Sequence, residues 1–383
     1  MIPIGTICVA CLDKPNHKAD KLAGQKIRME KLVPRIREIA LKITENEARR
    51  KGIANLLRQA SPRLGLFHKV EVHGLKDAKV VGVDGGIAKK SLHGMDCMLV
   101  RSVGVCFHYH NGKVRNVDYF PSRTPPMQAE VTDVMSDIDW NYYTSIVRES
   151  SEVRTAITCV EKFKPDILLM DGSIVPHHAD KPARLSPAYQ AYKAMISDYQ
   201  RLYESCLSSG TMLAGIIEDS RGARFCDMAK SQIASFAEGP ADQISELLCR
   251  TRDTNLLFWA LHKGERTMPF AYSEDPKEHP ILRDFEERFS LRVSSFYLKT
   301  AELDRPVRVD YMKDRENIED EMASLLLAIS GHHSSYGLPA PIIEADSVAK
   351  LSDTEMENFY FQILAYAGNL PSIMRLRRET RPF

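Results

Sequence analysis

Apolar residues in this chain gather into short runs and helical stripes, and the places where two of the runs stop carry most of the information. Lys79-Val80-Val81-Gly82-Val83 meets Asp84-Gly85-Gly86, and Ile167-Leu168-Leu169-Met170 meets Asp171-Gly172-Ser173. A continuous apolar run of that length predicts a buried strand, and an acid followed by glycine predicts its exposed end. Two such ends, separated by a hairpin and a helix, predict adjacent strands that offer paired carboxylates to one divalent cation.

The rest of the pattern places those strands. Ile27, Leu32, Ile36, Ile39, Ala40 and Ile43 recur at helical spacing through residues 20–60, where Pro34 should kink the helix or start a new one. After the strand at 78–83, residues 98–108 and 114–120 predict a hairpin around Asn111-Gly112. The segment 121–145, with Pro121, Pro125 and Pro126, reads as a loop. A helix is expected from Ser151 to Phe163, ended by Pro165, and it leads into the strand that delivers Asp171. A further helix over 187–208, stopped by Gly210, precedes a strand at 211–217 that ends in Glu218-Asp219-Ser220-Arg221.

One strand, a hairpin, then helix–strand–helix–strand is the order of an RNase H-like sheet. The predicted class is therefore mixed α/β, with the first and fourth strands as neighbours and Asp84 beside Asp171. Beyond Gly222 the pattern predicts a helix at 241–249, strands at 292–299 and 307–311, and helices at 316–329 and 353–367. A basic tail, Arg375-Leu376-Arg377-Arg378, follows. The expected organisation is an N-terminal helical segment (1–75), a catalytic core (76–235) and a C-terminal α+β portion (236–383).

Composition narrows the class without naming a chemistry. The 383 residues are 44% hydrophobic and 27% charged, which suits a folded chain, and no apolar run is long enough to cross a bilayer. Met1-Ile2-Pro3-Ile4-Gly5 lacks a basic stretch ahead of an apolar one, so export is not expected and a cytoplasmic location is. Eight cysteines are scattered, with Cys106, Cys159 and Cys249 in apolar company, which predicts reduced core thiols. Cys8 and Cys11 form a lone Cys-x-x-Cys near His17, and zinc there is disfavoured for want of a fourth ligand. Net charge is only +1, yet residues 14–58 hold thirteen Lys/Arg against five Asp/Glu. Such a face suits a phosphate backbone or, more commonly, plain solvent.

Phosphodiester hydrolysis at neutral pH needs an activated water and a stabilised leaving oxygen, which two metal ions about 4 Å apart can supply. Asp84 and Asp171 are the first candidate ligands. Glu152, expected at the start of the helix before the fourth strand, is the third, with Glu149 one turn earlier as the alternative. Asp219 or Glu218 could extend the site and Arg221 could meet a phosphate oxygen, although Asp219 or Ser220 suits a helix cap equally well. His177-His178 could line a cleft but reads as a solvated loop pair, His108-x-His110 lacks a third ligand, and the loop pair His332-His333 reads the same way. The absence of a phosphate-binding loop, a dinucleotide glycine fingerprint and a serine elbow argues against nucleotide hydrolysis by this chain.

Several segments in order carry a resemblance: Val81-Gly82-Val83-Asp84-Gly85; Glu152 ahead of Asp171-Gly172-Ser173; Ile216-Ile217-Glu218-Asp219-Ser220-Arg221; Gly264-Glu265-Arg266-Thr267; Arg308-Val309-Asp310; and the stretch from Gly337-Leu338-Pro339 to Glu344-Ala345-Asp346. Over about 80–375 the chain resembles NurA-type nucleases. The resemblance implies an RNase H-like core, a ring-like homodimer, and Mn²⁺- or Mg²⁺-dependent cleavage of single- and double-stranded DNA. The implied activities are 5′–3′ exonuclease and single-strand endonuclease, in DNA end processing and repair with a HerA-type hexameric ATPase. Family metal ligands map onto Asp84, Glu152 and Asp171, with Asp346 as a fourth catalytic position.

Three positions depart from that pattern. The family usually has histidine where Asp346 stands, tyrosine where Leu338 stands and lysine where Glu218 stands. Aspartate binds a hard cation but cannot give a leaving group the proton of an imidazolium. The competing expectation is therefore a weakened or inactive subunit of the same fold that binds DNA or docks a motor. An RNA-directed nuclease of this fold is a third.

Overall fold

The computed structural model describes residues 17–233 and 241–366. The chain forms two compact units, Met1–Ile53 and Ala54–Phe383. Helix α1 (His17–Leu64) runs unbroken through Pro34, so the expected kink or restart does not divide it. The Cys8/Cys11 pair and the basic tail at 375–378 lie outside the described residues.

The second unit is organised on one sheet. In chain order its elements begin with β1 (Phe67–Lys69), β2 (Asp77–Ser91), β3 (Asp96–His110), β4 (Lys113–Phe120), β5 (Gln128–Thr132) and α2 (Asp137–Phe163). Then come β6 (Ile167–Asp171), α3 (Tyr189–Ser209), β7 (Met212–Ile217), α4 (Arg224–Ile233), α5 (Ala241–Cys249) and α6 (Asp253–Ala260). The remainder is β8 (Glu265–Thr267), β9 (Phe270–Ala271), α7 (Glu287–Ser290), β10 (Val293–Leu298), β11 (Val307–Met312), α8 (Ile318–Ile329), α9 (Ala340–Ala349) and α10 (Asp353–Tyr366).

Strand order is β1-β8-β10-β11-β7-β6-β2-β3-β4, with β5 on β3 and β9 on β10. The inner strands β2, β6 and β7 are parallel, flanked by antiparallel pairs. The first and fourth expected strands, β2 and β6, are indeed neighbours, and this mixed sheet flanked by helices is the predicted RNase H-like arrangement. The β3–β4 hairpin turns at Asn111 and Gly112, both at positive φ, which a two-residue turn between twisted strands demands.

Burial on both faces explains why the inner strands are continuous apolar runs. Val81, Val83, Leu168 and Met170 pack with Val153 and Ile157 of α2 and with Met195 and Leu202 of α3. Their alternates Val80, Ile167 and Leu169 pack on the other face with Met322 and Leu326 of α8 and Ile342 of α9.

Four expectations need correction. Asp84 is not at a strand end: β2 runs on through Gly85-Gly86 to Ser91, paired with β3 throughout. What ends there is its neighbour β6, whose last pairing to β2 is Met170 with Val83. The 121–145 segment is not all loop, because it holds β5 and the first turns of α2. That helix begins at Asp137, capped by the Ser136 side chain, which accepts the Asp139 N–H, so Glu149 and Glu152 lie in mid-helix rather than at its start. Cys97, Cys106, Cys159, Cys206 and Cys226 are buried free thiols, but Cys249 is exposed, contrary to its apolar neighbourhood in sequence.

Candidate functional site

The site lies where β6 leaves the sheet and β2 continues without it. Val83 pairs with Met170 in parallel register, so the next residues, Asp84 and Asp171, stand side by side. Both alternate to the α8/α9 face, and a hydrogen bond from Asp171 reaches Asp84. Asp84 is 6% exposed. Burial pushes its carboxyl up, opposed by the Gly85 N–H and the Arg148 charge. Burial, followed by the charges of Asp84, Glu218 and Asp346, pushes Asp171 up to about 7.

Glu152 reaches the same place from α2 on the opposite face. It is 3% exposed, and burial raises its carboxyl well above the usual range against the pull of Arg148. Gly85 makes this approach possible: a Cβ there would lie 2.6 Å from the Glu152 Cγ. Glycine answers the same need on the other face. A Cβ on Gly82 would meet the Pro341 carbonyl oxygen at 2.4 Å, and one on Gly86 the Ala349 oxygen at 2.0 Å. The Gly-x-x-Gly-Gly spacing around Asp84 thus reads as room for α9 to lie on the strand, bringing Asp346 along. Asp346 is an exposed residue of α9 whose charge bears on Asp84, Asp171 and Glu218.

Glu149 and Glu218 complete the acidic surroundings. Glu149 is buried and is pushed up to about 7 by burial and then by Asp180; its Oε2 atom has no hydrogen-bond partner. Glu218, at the end of β7, is also raised, by burial first and then by Asp346 and Asp219.

The strand end bearing Asp171 is anchored from β7 and β11. Gly172 donates its N–H to the Ile216 oxygen at 2.9 Å, and the Ser173 hydroxyl donates to Asp310 Oδ2 at 2.7 Å. Asp310 also accepts from Ser295 Oγ at 2.6 Å and from Arg308 Nε at 2.7 Å. Arg308-Val309-Asp310 therefore contributes by holding the turn after Asp171.

Other candidates lie differently. Asp219 is exposed and paired with Arg305 at 2.7 Å, and Arg221 is exposed. Neither Asp219 nor Ser220 caps α4; Asp253 does, accepting the Phe225 and Cys226 N–H groups at 3.0 and 2.8 Å. His108 and His110 pair with Asp118 and Asp77 on the flanking strands, at 2.9 and 2.5 Å. His177 and His178 sit exposed with their rings 4.2 Å apart. His332 contacts the Ile329 oxygen, and His333 accepts the Ser335 N–H.

Two site residues escaped the sequence reading. Arg148, one turn before Glu152 on α2, pairs with the Glu152 Oε1 atom. Its signal was the Arg–Glu spacing of four, which joins side chains on one helix face. Tyr336 is exposed, and its hydroxyl feels Glu218, Asp346 and Asp171. Leu338, where a tyrosine was looked for, is buried in the core beneath α8 and α9.

Among the described residues, no three His, Cys, Asp or Glu side chains already stand as a closed metal-ligand group. The donor chemistry nevertheless fits a hard divalent cation. Asp84 and Asp171 adjoin, Glu152 lies over Gly85, and all the donors are carboxylate oxygens, pushed up first by burial and then by neighbouring acids.

Comparison with known proteins places the fold. A family model described as the NurA domain matches residues 78–351. The NurA nuclease from Sulfolobus solfataricus superposes with a TM-score of 0.52 at 18% identity, over 85% of this chain and 96% of that one. A NurA structure bound to dAMP and manganese gives 0.44 at 11% identity, over 92% and 99%. Endonuclease V of Ciona intestinalis in complex with a DNA 24mer gives 0.33 at 12% identity, over 83% and 99%. No curated protein matches the chain. The Sulfolobus superposition establishes the shared fold.

Proposed function

The chain belongs to the NurA family, and from that premise we propose that it is a divalent-metal-dependent nuclease that hydrolyses DNA phosphodiesters. The observation that carries the reading is the side-by-side placement of Asp84 and Asp171 beside the Glu152 carboxylate, in a buried cluster rich in acids. Asp84, Glu152 and Asp171 hold Mn²⁺ or Mg²⁺, and Asp346 is a peripheral fourth acid. A cation held there supplies Lewis-acid polarisation of a phosphodiester oxygen and lowers the pKa of a bound water. The chain's own contribution is placement. Ser173 and Asp310 fix the turn after Asp171, Gly85 admits Glu152, and α9 sets Asp346 above the strand. Tyr336 offers a hydroxyl at the rim.

DNA end processing with a HerA-type hexameric ATPase, a homodimeric assembly, and exonuclease and single-strand endonuclease activity rest on the family resemblance. The test is cleavage of labelled single- and double-stranded DNA and of RNA by purified protein with Mn²⁺. DNA cleavage that is lost in Asp84→Ala and Asp171→Ala supports the reading; native-rate cutting by either variant ends it.

The second reading, a weakened DNA-binding or motor-docking subunit, is favoured by one observation. Asp346 and Glu218 add negative charge around Asp171, at positions where the resemblance implies a usual histidine and a common lysine. Metal-independent DNA binding without cleavage would select it.

A further inference from the structure

Four acids of this site feel the same nearby cation. Arg148 bonds Glu152 directly, and its charge also bears on Asp84, Glu149 and Asp171. The two partners differ in freedom. The Glu152 side chain is 4% exposed and wedged over Gly85, whereas that of Arg148 is 31% exposed. A buried carboxylate without a cation is costly, and in the metal-free chain the Arg148 guanidinium of this pair offsets the Glu152 charge. A long, partly exposed arginine can leave it by rotating its stem outward, with no backbone movement.

We propose that Arg148 is the built-in counter-cation of this site, and that its guanidinium and a divalent metal compete for the Glu152 carboxylate. The inference rests on the metal-binding reading above and adds that metal affinity is set partly by the displacement of Arg148. Its charge then keeps the acids together until metal arrives and weakens binding by occupying a ligand and repelling the incoming cation. An ordinary i,i+4 helix pair would stabilise α2 without touching metal affinity.

The experiment is calorimetric titration of Mn²⁺ into the full chain, with thermal melting of the same samples, for the native protein, Arg148→Gln, Arg148→Lys and Asp84→Asn. Arg148→Gln is expected to melt lower than native without metal and to bind Mn²⁺ about tenfold tighter, within the usual range of coupling between two sites. Arg148→Lys keeps the charge but loses the planar fork, and is expected to fall between the two. It serves as the test if Arg148→Gln does not fold. Mn²⁺ binding by native protein that is equal or weaker in the folded Arg148 variants overturns this inference alone. No Mn²⁺ binding by native protein, or full binding by Asp84→Asn, overturns the metal reading and this inference with it.

Discussion

Two buried aspartates on one sheet are treated in opposite ways. Asp310 on β11 is 1% exposed and has three donors: two hydroxyls and the Arg308 guanidinium. Asp84 on β2 is nearly as buried, yet its neighbours include Asp171, Asp346 and Glu152, with Arg148 as the opposing charge. A saturated acid rigidifies its surroundings. An acid crowded by others is destabilising unless a cation or protons offset it, and such crowding concentrates at functional sites. Ser173 ties Asp310 to the turn after Asp171, the neighbour of Asp84, so the satisfied aspartate holds the frame in which the crowded pair works.

That contrast can be broken from either side. The largest effect is expected for Asp84→Ala or Asp171→Ala, which should lower DNA cleavage at least about a hundredfold. Their metal-free stability in urea should be unchanged or higher, because like-charge crowding is relieved. Asp310→Ala should do the reverse: a loss of about 3–5 kcal/mol in urea unfolding, since Arg308 is left buried without its partner. Gly86→Ala is expected to cost about 1–3 kcal/mol by overpacking against Ala349, and to lower activity as α9 and Asp346 shift.

The smallest expected effect is a pH slope. Asp171 is held at about 7, above its unfolded value near 3.8, so the native state keeps a proton that the unfolded chain releases. The Asp171 contribution to metal-free stability is then fully present below about pH 4 and is lost as pH rises towards 7, by about 1 kcal/mol once solvent screening is allowed for. Melting curves at pH 5 and 7.5 should show the decline in native protein and less of it in Asp84→Asn.

The sheet was legible because its inner strands are buried on both faces and therefore spelled as unbroken apolar runs. The pairing of Asp84 with Asp171 followed from element order alone. What misled was glycine: Gly85-Gly86 reads as a turn, but here it is strand backbone cleared for a helix on one face and a carboxylate on the other. Helix α9 is short and carries few polar positions, so its periodicity said little. The first turns of α2 sit behind a proline-rich stretch and read as loop, which hid the neighbourhood of Arg148. Tyr336 went unread because its approach to the acids depends on the fold of the loop before α9, where Gly337 donates to Asp304 and accepts from Thr300.

The most direct measurement is anomalous scattering from crystals of the native protein soaked in Mn²⁺. A manganese peak at bonding distance from both Asp84 and Asp171, with Glu152 turned towards it, is the predicted result. Manganese bound only away from that pair, or the two aspartates left unligated at saturating Mn²⁺, would contradict it.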